Sequence, residues 1–286
     1  MTSDSSPTRR FAVVTDSTAD LPAGDFERLR IHQVPLTVNW EGLTFRDKID
    51  LTTSAFYERL AVSRSLPTTS APALGDFVAL YRQLLQSFDA VLSIHVAARF
   101  SGTWSVAATA AQNVDPRRIV VLDSGTTTMC LGWLAAEAAR LADADTSVTD
   151  AENHLRTYIP RLRLLAAVDT LEFLQRGGRI GRVQALAGTL LRVKPIIQVL
   201  NGEVLPLERV RTHGAALRRL AEIAAGLPPL ERLGVLHGAA PSTAQALVDA
   251  LHERHLSDSI ELGEIGIVVG THAGPGVFGF TAVLRA

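Results

Sequence analysis

The sequence predicts two α/β domains: an N-terminal parallel-sheet α/β/α domain over residues 10–160 and a C-terminal α+β domain with a mixed sheet over 161–286. Three observations predict them. Short β-branched apolar runs alternate with amphipathic stretches through the first half, the pattern of a parallel sheet with crossover helices. Pro160 ends a helical pattern near the middle of the chain. In the second half Asn201-Gly202 stands between two apolar runs, a type I′ hairpin signal that brings antiparallel pairing into that sheet. A length of 286 residues suits two ordinary domains.

In chain order, the strand runs of the first half are 11–15, 31–38, 90–94 and 119–122. Amphipathic helices are expected at 55–60, 77–85 and 104–111. The last of these carries Ala107, Ala108, Ala110 and Ala111, a small-residue face able to lie close to a sheet or a ligand. Residues 131–141 and 147–158 complete the helices before Pro160. The second half reads as strands at 164–168, 196–199, 204–207, 233–237, 267–270 and 277–284, with helices around 181–191, 215–224 and 243–255.

Hydrophobic residues make up 47% of the chain and charged residues 20%, ample for a core and ordinary for a globular protein. A net charge of -1 provides no concentrated basic face, which argues against an electrostatic nucleic-acid binder. The cations are nearly all arginine, Lys48 and Lys194 being the lysines; with abundant Ala and Leu this reads as codon usage in a GC-rich genome. The single Cys130 cannot form an internal disulfide, so nothing calls for an oxidising compartment. The opening MTSDSSPTRR lacks the apolar stretch of a secretory signal, and no apolar run approaches the ~20 residues of a spanning helix. A cytoplasmic location is expected, with residues 1–9 as a disordered leader.

Four polar clusters stand where a strand gives way to a loop or helix, the place where open α/β sheets bind ligands. Thr15-Asp16-Ser17-Thr18 either turns or caps the chain or faces a ligand. In Pro67-Thr68-Thr69-Ser70-Ala71-Pro72, Ser70 is a natural N-cap with Pro72 in the first turn. Ser101-Gly102-Thr103 combines hydroxyls, a glycine and a helix N-terminus, which suits phosphate or carboxylate equally. Gly270-Thr271-His272-Ala273-Gly274-Pro275-Gly276 reads as a constrained loop displaying an imidazole at a strand end. Other chemistries find no motif. His252 and His255 are three apart, not four as a zinc helix requires, and there is no CxxC, phosphate-binding P-loop or Gly-x-Ser-x-Gly elbow. Gly177-Gly178-Arg179 lacks the third glycine of a dinucleotide fingerprint.

Taken in order, these segments resemble the DegV family of bacterial fatty-acid-binding proteins. The resemblance is carried by Thr15-Asp16-Ser17-Thr18-Ala19-Asp20-Leu21, Phe56-Tyr57, Thr69-Ser70, Ser101-Gly102-Thr103 and Asp123-Ser124. It continues through Thr170-Leu171-Glu172-Phe173-Leu174, Gly177-Gly178-Arg179-Ile180, Leu190-Leu191-Arg192-Val193-Lys194-Pro195 and the 270–276 glycine-rich segment. It implies two domains with one long-chain, palmitate-like fatty acid in the cleft between them. It implies a lipid carrier, not an enzyme, that presents the carboxylate to a separate fatty acid kinase, which makes an acyl phosphate, a phospholipid precursor. Family carboxylate ligands map onto Thr69 and Ser101, with His272 as a third contributor. Ser70, Gly102 and Thr103 complete the binding candidates, and Arg179 is placed at the kinase surface or near the carboxylate. No catalytic residue, cofactor or metal is expected, and the carrier is expected to be a monomer with transient membrane contact. The chain departs from the family at Ala97-Ala98, where members often carry two serines, which puts a supporting head-group contact in doubt.

The residue chemistry agrees with a buried lipid. About 15 methylenes at ~0.8 kcal/mol each gain about 12 kcal/mol gross before the costs of binding. A buried carboxylate needs partners, and Thr and Ser hydroxyls supply them while leaving an oxygen free to attack ATP. Two other readings stand beside this one. One is a phosphotransfer subunit of dihydroxyacetone-kinase type, with His272 holding a small ketose covalently; the other is a regulatory protein that senses lipid.

Overall fold

The computed structural model describes residues 9–22, 24–184 and 193–286. The first half runs β1 (Phe11–Asp16), α1 (Asp25–Arg28), β2 (Ile31–Val34), β3 (Thr37–Trp40), β4 (Leu43–Arg46), α2 (Thr53–Val62), β5 (Thr68–Ser70), α3 (Leu74–Leu84), β6 (Ala90–His95), α4 (Thr103–Val114), β7 (Ile119–Asp123), α5 (Thr128–Asp143) and α6 (Val148–Tyr158). A short 3-10 turn containing Pro160 follows. The second half runs β8 (Leu162–Ala167), α7 (Glu172–Arg176), β9 (Lys194–Leu200), β10 (Glu203–Val210), α8 (His213–Ala225), β11 (Leu230–His237), α9 (Pro241–His252), β12 (Glu261–Glu264), α10 (Ile267–Ala273) and β13 (Phe278–Leu284).

Four strands form a parallel sheet in the order β2-β1-β6-β7. Its central strands read as continuous apolar runs because both faces are covered. Ala12 and Val14 pack with Phe77, Tyr81 and Ala107 of α3 and α4. Phe11 and Val13, one residue out of phase, pack with Leu134 and Leu155 of α5 and α6. Six strands form the second, mixed sheet in the order β10-β9-β8-β13-β11-β12, in which only the β11–β12 pair is parallel. Asn201 and Gly202 make the expected turn between β9 and β10, both with positive φ (51° and 71°). Pro206 is tolerated because β10 is an edge strand, bulged next to it. The largest core cluster is shared: it runs from Phe11 and Leu134 through Leu164 and Val168 to Val277 and Val283.

A third sheet, β4-β3-β5, was not legible as such. The run 31–38 is not one strand. Pro35 splits it, so β2 joins the parallel sheet while β3 turns away to pair with β4 and β5. The run 267–270 is helical, not extended, and belongs to α10. Its β-branched residues favour strands in isolation, but Ile267 and Val268 are buried against Trp40, Phe56 and Tyr57 under the small sheet. Gly270 permits that contact, since a Cβ there would come within 2.5 Å of the Tyr57 hydroxyl. Ser70 does not cap α3: the N-cap is Ala73, and Ser70 Oγ instead accepts a bond from Asn39 Nδ2 at 3.0 Å. Arg9, placed in the leader above, is 5% exposed and paired with Asp143 at 2.7 Å, so it belongs to the folded body. The helix expected around 181–191 and the segment 190–192 of the family pattern lie largely outside the described residues. Among the described residues, no helix is long and apolar enough to cross a membrane.

Candidate functional site

A cavity of about 870 Å³, its mouth included, opens between the two sheets. Leu36, Val96 and Phe100 line it from the N-terminal half, and Leu164, Ile197, Val204 and Val277 from the C-terminal half. Val268, Val269 and Ala273 of α10 close one side. Among its described lining residues Arg179 is the one permanent charge, and there is no carboxylate.

The cavity brings together four of the sequence-predicted residues, Thr69, Ser101, Arg179 and His272. Thr69 stands on β5, paired with Val38. Its Oγ1 meets His272 Nε2 at 2.8 Å. His272 is in the last turn of α10, a helix and not the loop the glycines suggested; the loop begins at Gly274, where φ is 78°. The imidazole lies directly on the backbone of Gly177, where a Cβ would fall 2.1 Å from Nδ1. Burial, reinforced by the nearby Arg179 guanidinium, pushes the His272 pKa down to about 4, so the ring is neutral at physiological pH. Its Nδ1 is buried with no hydrogen-bond partner among the described residues.

Arg179 donates through Nε to Phe100 O at 2.8 Å and through Nη1 to Gly177 O at 2.6 Å. It thereby ties the loop after α7 to the turn before α4. Ser101, half-buried in that turn, shares a 2.8 Å contact with Thr103 Oγ1 and accepts from Thr103 N at 3.3 Å. Thr103 itself is buried behind Ser101, and Gly102, the N-cap of α4, is exposed. Ser70 is exposed beside Asn39. These three do not line the cavity. Nor do Ala97 and Ala98, whose backbone N–H groups bond Thr126 O and Asp123 Oδ1.

A second pocket adjoins the first, with exposed Thr68 and Arg176 on its rim and Phe173 and Gly177 in its wall. Thr69, Arg179 and His272 are the residues common to both, so they form the neck between an apolar chamber and a more polar vestibule.

Two polar lining residues, Thr127 and Thr128 at the start of α5, were missed, whereas Thr18 of the first polar cluster lines the chamber from the loop after β1. A readable signal was the run Thr126-Thr127-Thr128 between a parallel strand and an apolar helix. Behind Thr18, Asp16 accepts from Thr18 N at 3.0 Å, Thr18 Oγ1 at 2.6 Å and Val96 N at 2.8 Å, and meets His95 Nδ1 at 3.1 Å. Burial opposes its ionisation, but His95, Thr18 and Val96 outweigh burial and hold the carboxyl below the usual range. Asp16 thus sets the backbone from which Thr18 and Val96 reach the cavity.

Comparison with known proteins places the whole chain. Residues 10–285 match the family described as "Uncharacterised protein, DegV family". A DegV domain-containing protein of Streptomyces coelicolor is 40% identical, covering 97% of this chain and 99% of that one. Among solved structures, a DegV family protein from Thermus thermophilus, described for its fatty acid binding, superposes with a TM-score of 0.90 at 33% identity, covering 96% of this chain and 100% of that one. DegV of Bacillus subtilis, described as a fatty acid binding protein, gives 0.85 at 36% identity, with 97% and 100% covered. This chain belongs to the DegV family.

Proposed function

We propose that the chain is a non-catalytic carrier that binds one long-chain, palmitate-like fatty acid and presents its carboxylate to a separate kinase. The observation that carries this reading is the neck, where Thr69, His272 and Arg179 stand between an apolar chamber and a polar vestibule. The acyl chain fills the chamber, whose gain is hydrophobic at ~0.8 kcal/mol per methylene. The carboxylate sits at the neck, with Ser101 as a further donor. In the Nε2-protonated tautomer, His272 donates to Thr69 and frees the Thr69 hydroxyl to donate to the ligand. Arg179, partly engaged by backbone carbonyls, supplies charge without a bidentate clamp. One carboxylate oxygen stays open toward the vestibule, from which it attacks the γ-phosphorus of kinase-bound ATP; ADP leaves, and Mg²⁺ and positioning come from the kinase. The apolar lining of the chamber argues against a small polar ketose as ligand.

The test is displacement of a fluorescent fatty acid by palmitate, by its methyl ester and by palmitate on Ser101→Ala. Palmitate should displace the probe stoichiometrically, with the ester and the variant each weaker by about tenfold, the worth of one net hydrogen bond. Equal binding of acid and ester would overturn the head-group assignment. Incubated with ATP, the chain should make acyl phosphate only when a fatty acid kinase is added.

A further inference from the structure

We propose that the buried carboxyl of Asp47 makes the junction behind the chamber a pH-responsive clamp, seated while the carboxyl is protonated and loosened when it ionises, which speeds fatty acid exchange. Control of ligand exchange rests on the carrier reading above; the clamp itself does not.

Three parts of the molecule meet at this junction, and each delivers residues to the cavity. The loop after β1 brings Thr18, the small sheet with its lead-in brings Leu36 and Thr69, and α10 brings Val268 and His272. Polar contacts hold the three together. Ser17 Oγ accepts from Leu36 N at 3.0 Å, and Leu36 O accepts from Asp47 N at 2.9 Å. Lys48, next in the same turn, donates to Ala19 O at 2.6 Å and pairs with Asp20 at 3.3 Å. Asp20 also accepts from Gly266 N, at the entry to α10, at 3.4 Å, and Tyr57 of α2 donates to Ile265 O at 3.1 Å.

Asp47 is 1% exposed within this junction. Asp16 and Asp20 stand beside it, and Glu264 of β12 faces Asp20. The Tyr57 phenol, its pKa raised by burial, faces Asp20 and Glu264 and stays neutral. Arg46 and Asp50 of the same turn pair with each other at the surface. Lys48 is the cation of the junction, and its bonds go to Asp20 and Ala19. Asp16 is held by His95, Thr18 and Val96. Asp47 is left with the Ser17 hydroxyl and, among the described residues, no ion pair of its own. A further negative charge in this space is stabilised by admitting water, which parts the small sheet from the loop after β1. Burial already holds the carboxyl up to about 7. Since the seated form is the neutral one, the clamp is tightest in acid, and its grip is lost as pH rises from 3.8 through about 7. His272 is neutral throughout the upper part of that window, so the neck does not titrate with it.

The experiment compares the wild-type chain with Asp47→Asn at pH 6 and pH 8. Hydrogen exchange of the delipidated chain is read as protection factors, residues 36–70 against β6, which removes the intrinsic pH dependence of exchange. Between the two pH values, wild-type protection of 36–70 should fall about tenfold further than that of the variant, the linkage of one carboxyl held near 7. Dissociation of a fluorescent fatty acid should accelerate in parallel, again about tenfold relative to the variant. Dividing by the variant removes the contributions of Asp20 and Glu264, which burial also raises. Wild-type protection that does not change with pH overturns the clamp, as does an equal change in the variant. Protection that responds while dissociation does not overturns the control of exchange. A chain that binds no fatty acid overturns the carrier reading, and the protection factors still decide the clamp.

Discussion

In the parallel sheet, His95 is fully buried with a partner at each ring nitrogen, Asp16 at Nδ1 and Ser93 Oγ at Nε2, and Tyr81 extends the chain of bonds by donating to Ser93. At the cavity neck, His272 has Thr69 at Nε2 and, among the described residues, nothing at a buried Nδ1. The order Asp16–His95–Ser93 looks like a hydrolytic triad, yet its members are 0% exposed and line neither cavity. It braces β1 to β6. The contrast teaches how to sort buried polar groups in this chain. Those whose bonding capacity is met inside the protein hold the fold, whereas His272 is left short of a partner where the two pockets meet.

The sharpest way to break the comparison is Asp16→Ala. It strips four contacts from a fully buried position and leaves His95 Nδ1 without its partner, so urea unfolding should show a loss of about 3–5 kcal/mol. A loss under ~1 kcal/mol would mean the network is not the brace.

Asp47 is a poorly satisfied group of another kind, a buried carboxyl with no well-formed hydrogen bond among the described residues. Burial pushes its pKa from 3.8 up to about 7, against the pull of Lys48 and of the nearby Ser17 hydroxyl. A raised folded-state pKa means the neutral form is the stabilised one. Asp47's contribution is therefore complete below pH 3.8 and lost as pH rises through about 7. Asp47→Asn should raise the melting temperature at pH 8 and change it little at pH 4. Asp20 and Glu264, also raised by burial, leave some residual slope. Equal effects at both pH values would contradict the burial assignment.

The smallest effect on stability is expected at the neck. Thr69→Val should change the unfolding free energy by under ~1 kcal/mol, since Thr69 is half-buried, while weakening fatty acid binding about tenfold. Destabilisation comparable to Asp16→Ala, with affinity unchanged, would make Thr69 a structural residue.

How much of this the sequence disclosed follows the same division. The runs at β1, β6 and β7 were readable because a strand covered on both faces is apolar throughout. The β9–β10 turn was readable because Asn-Gly suits two positive φ angles. Pro35 hid a change of sheet inside one apolar run, and the Ile267-Val268-Val269 run hid a helix, because tertiary burial overrode its local strand preference. Thr69, Ser101, Arg179 and His272 were found through the ordered motif series. Thr127 and Thr128 were not, because a threonine at a helix start is by default a cap. Only the structure shows that these two make no capping bond.

The carrier reading meets its most direct test in denaturing organic extraction of the purified protein, followed by mass spectrometry of the extract. One long-chain fatty acid per chain is the expected result. Protein that yields no lipid, and that gains no thermal stability from added palmitate or oleate, would contradict it.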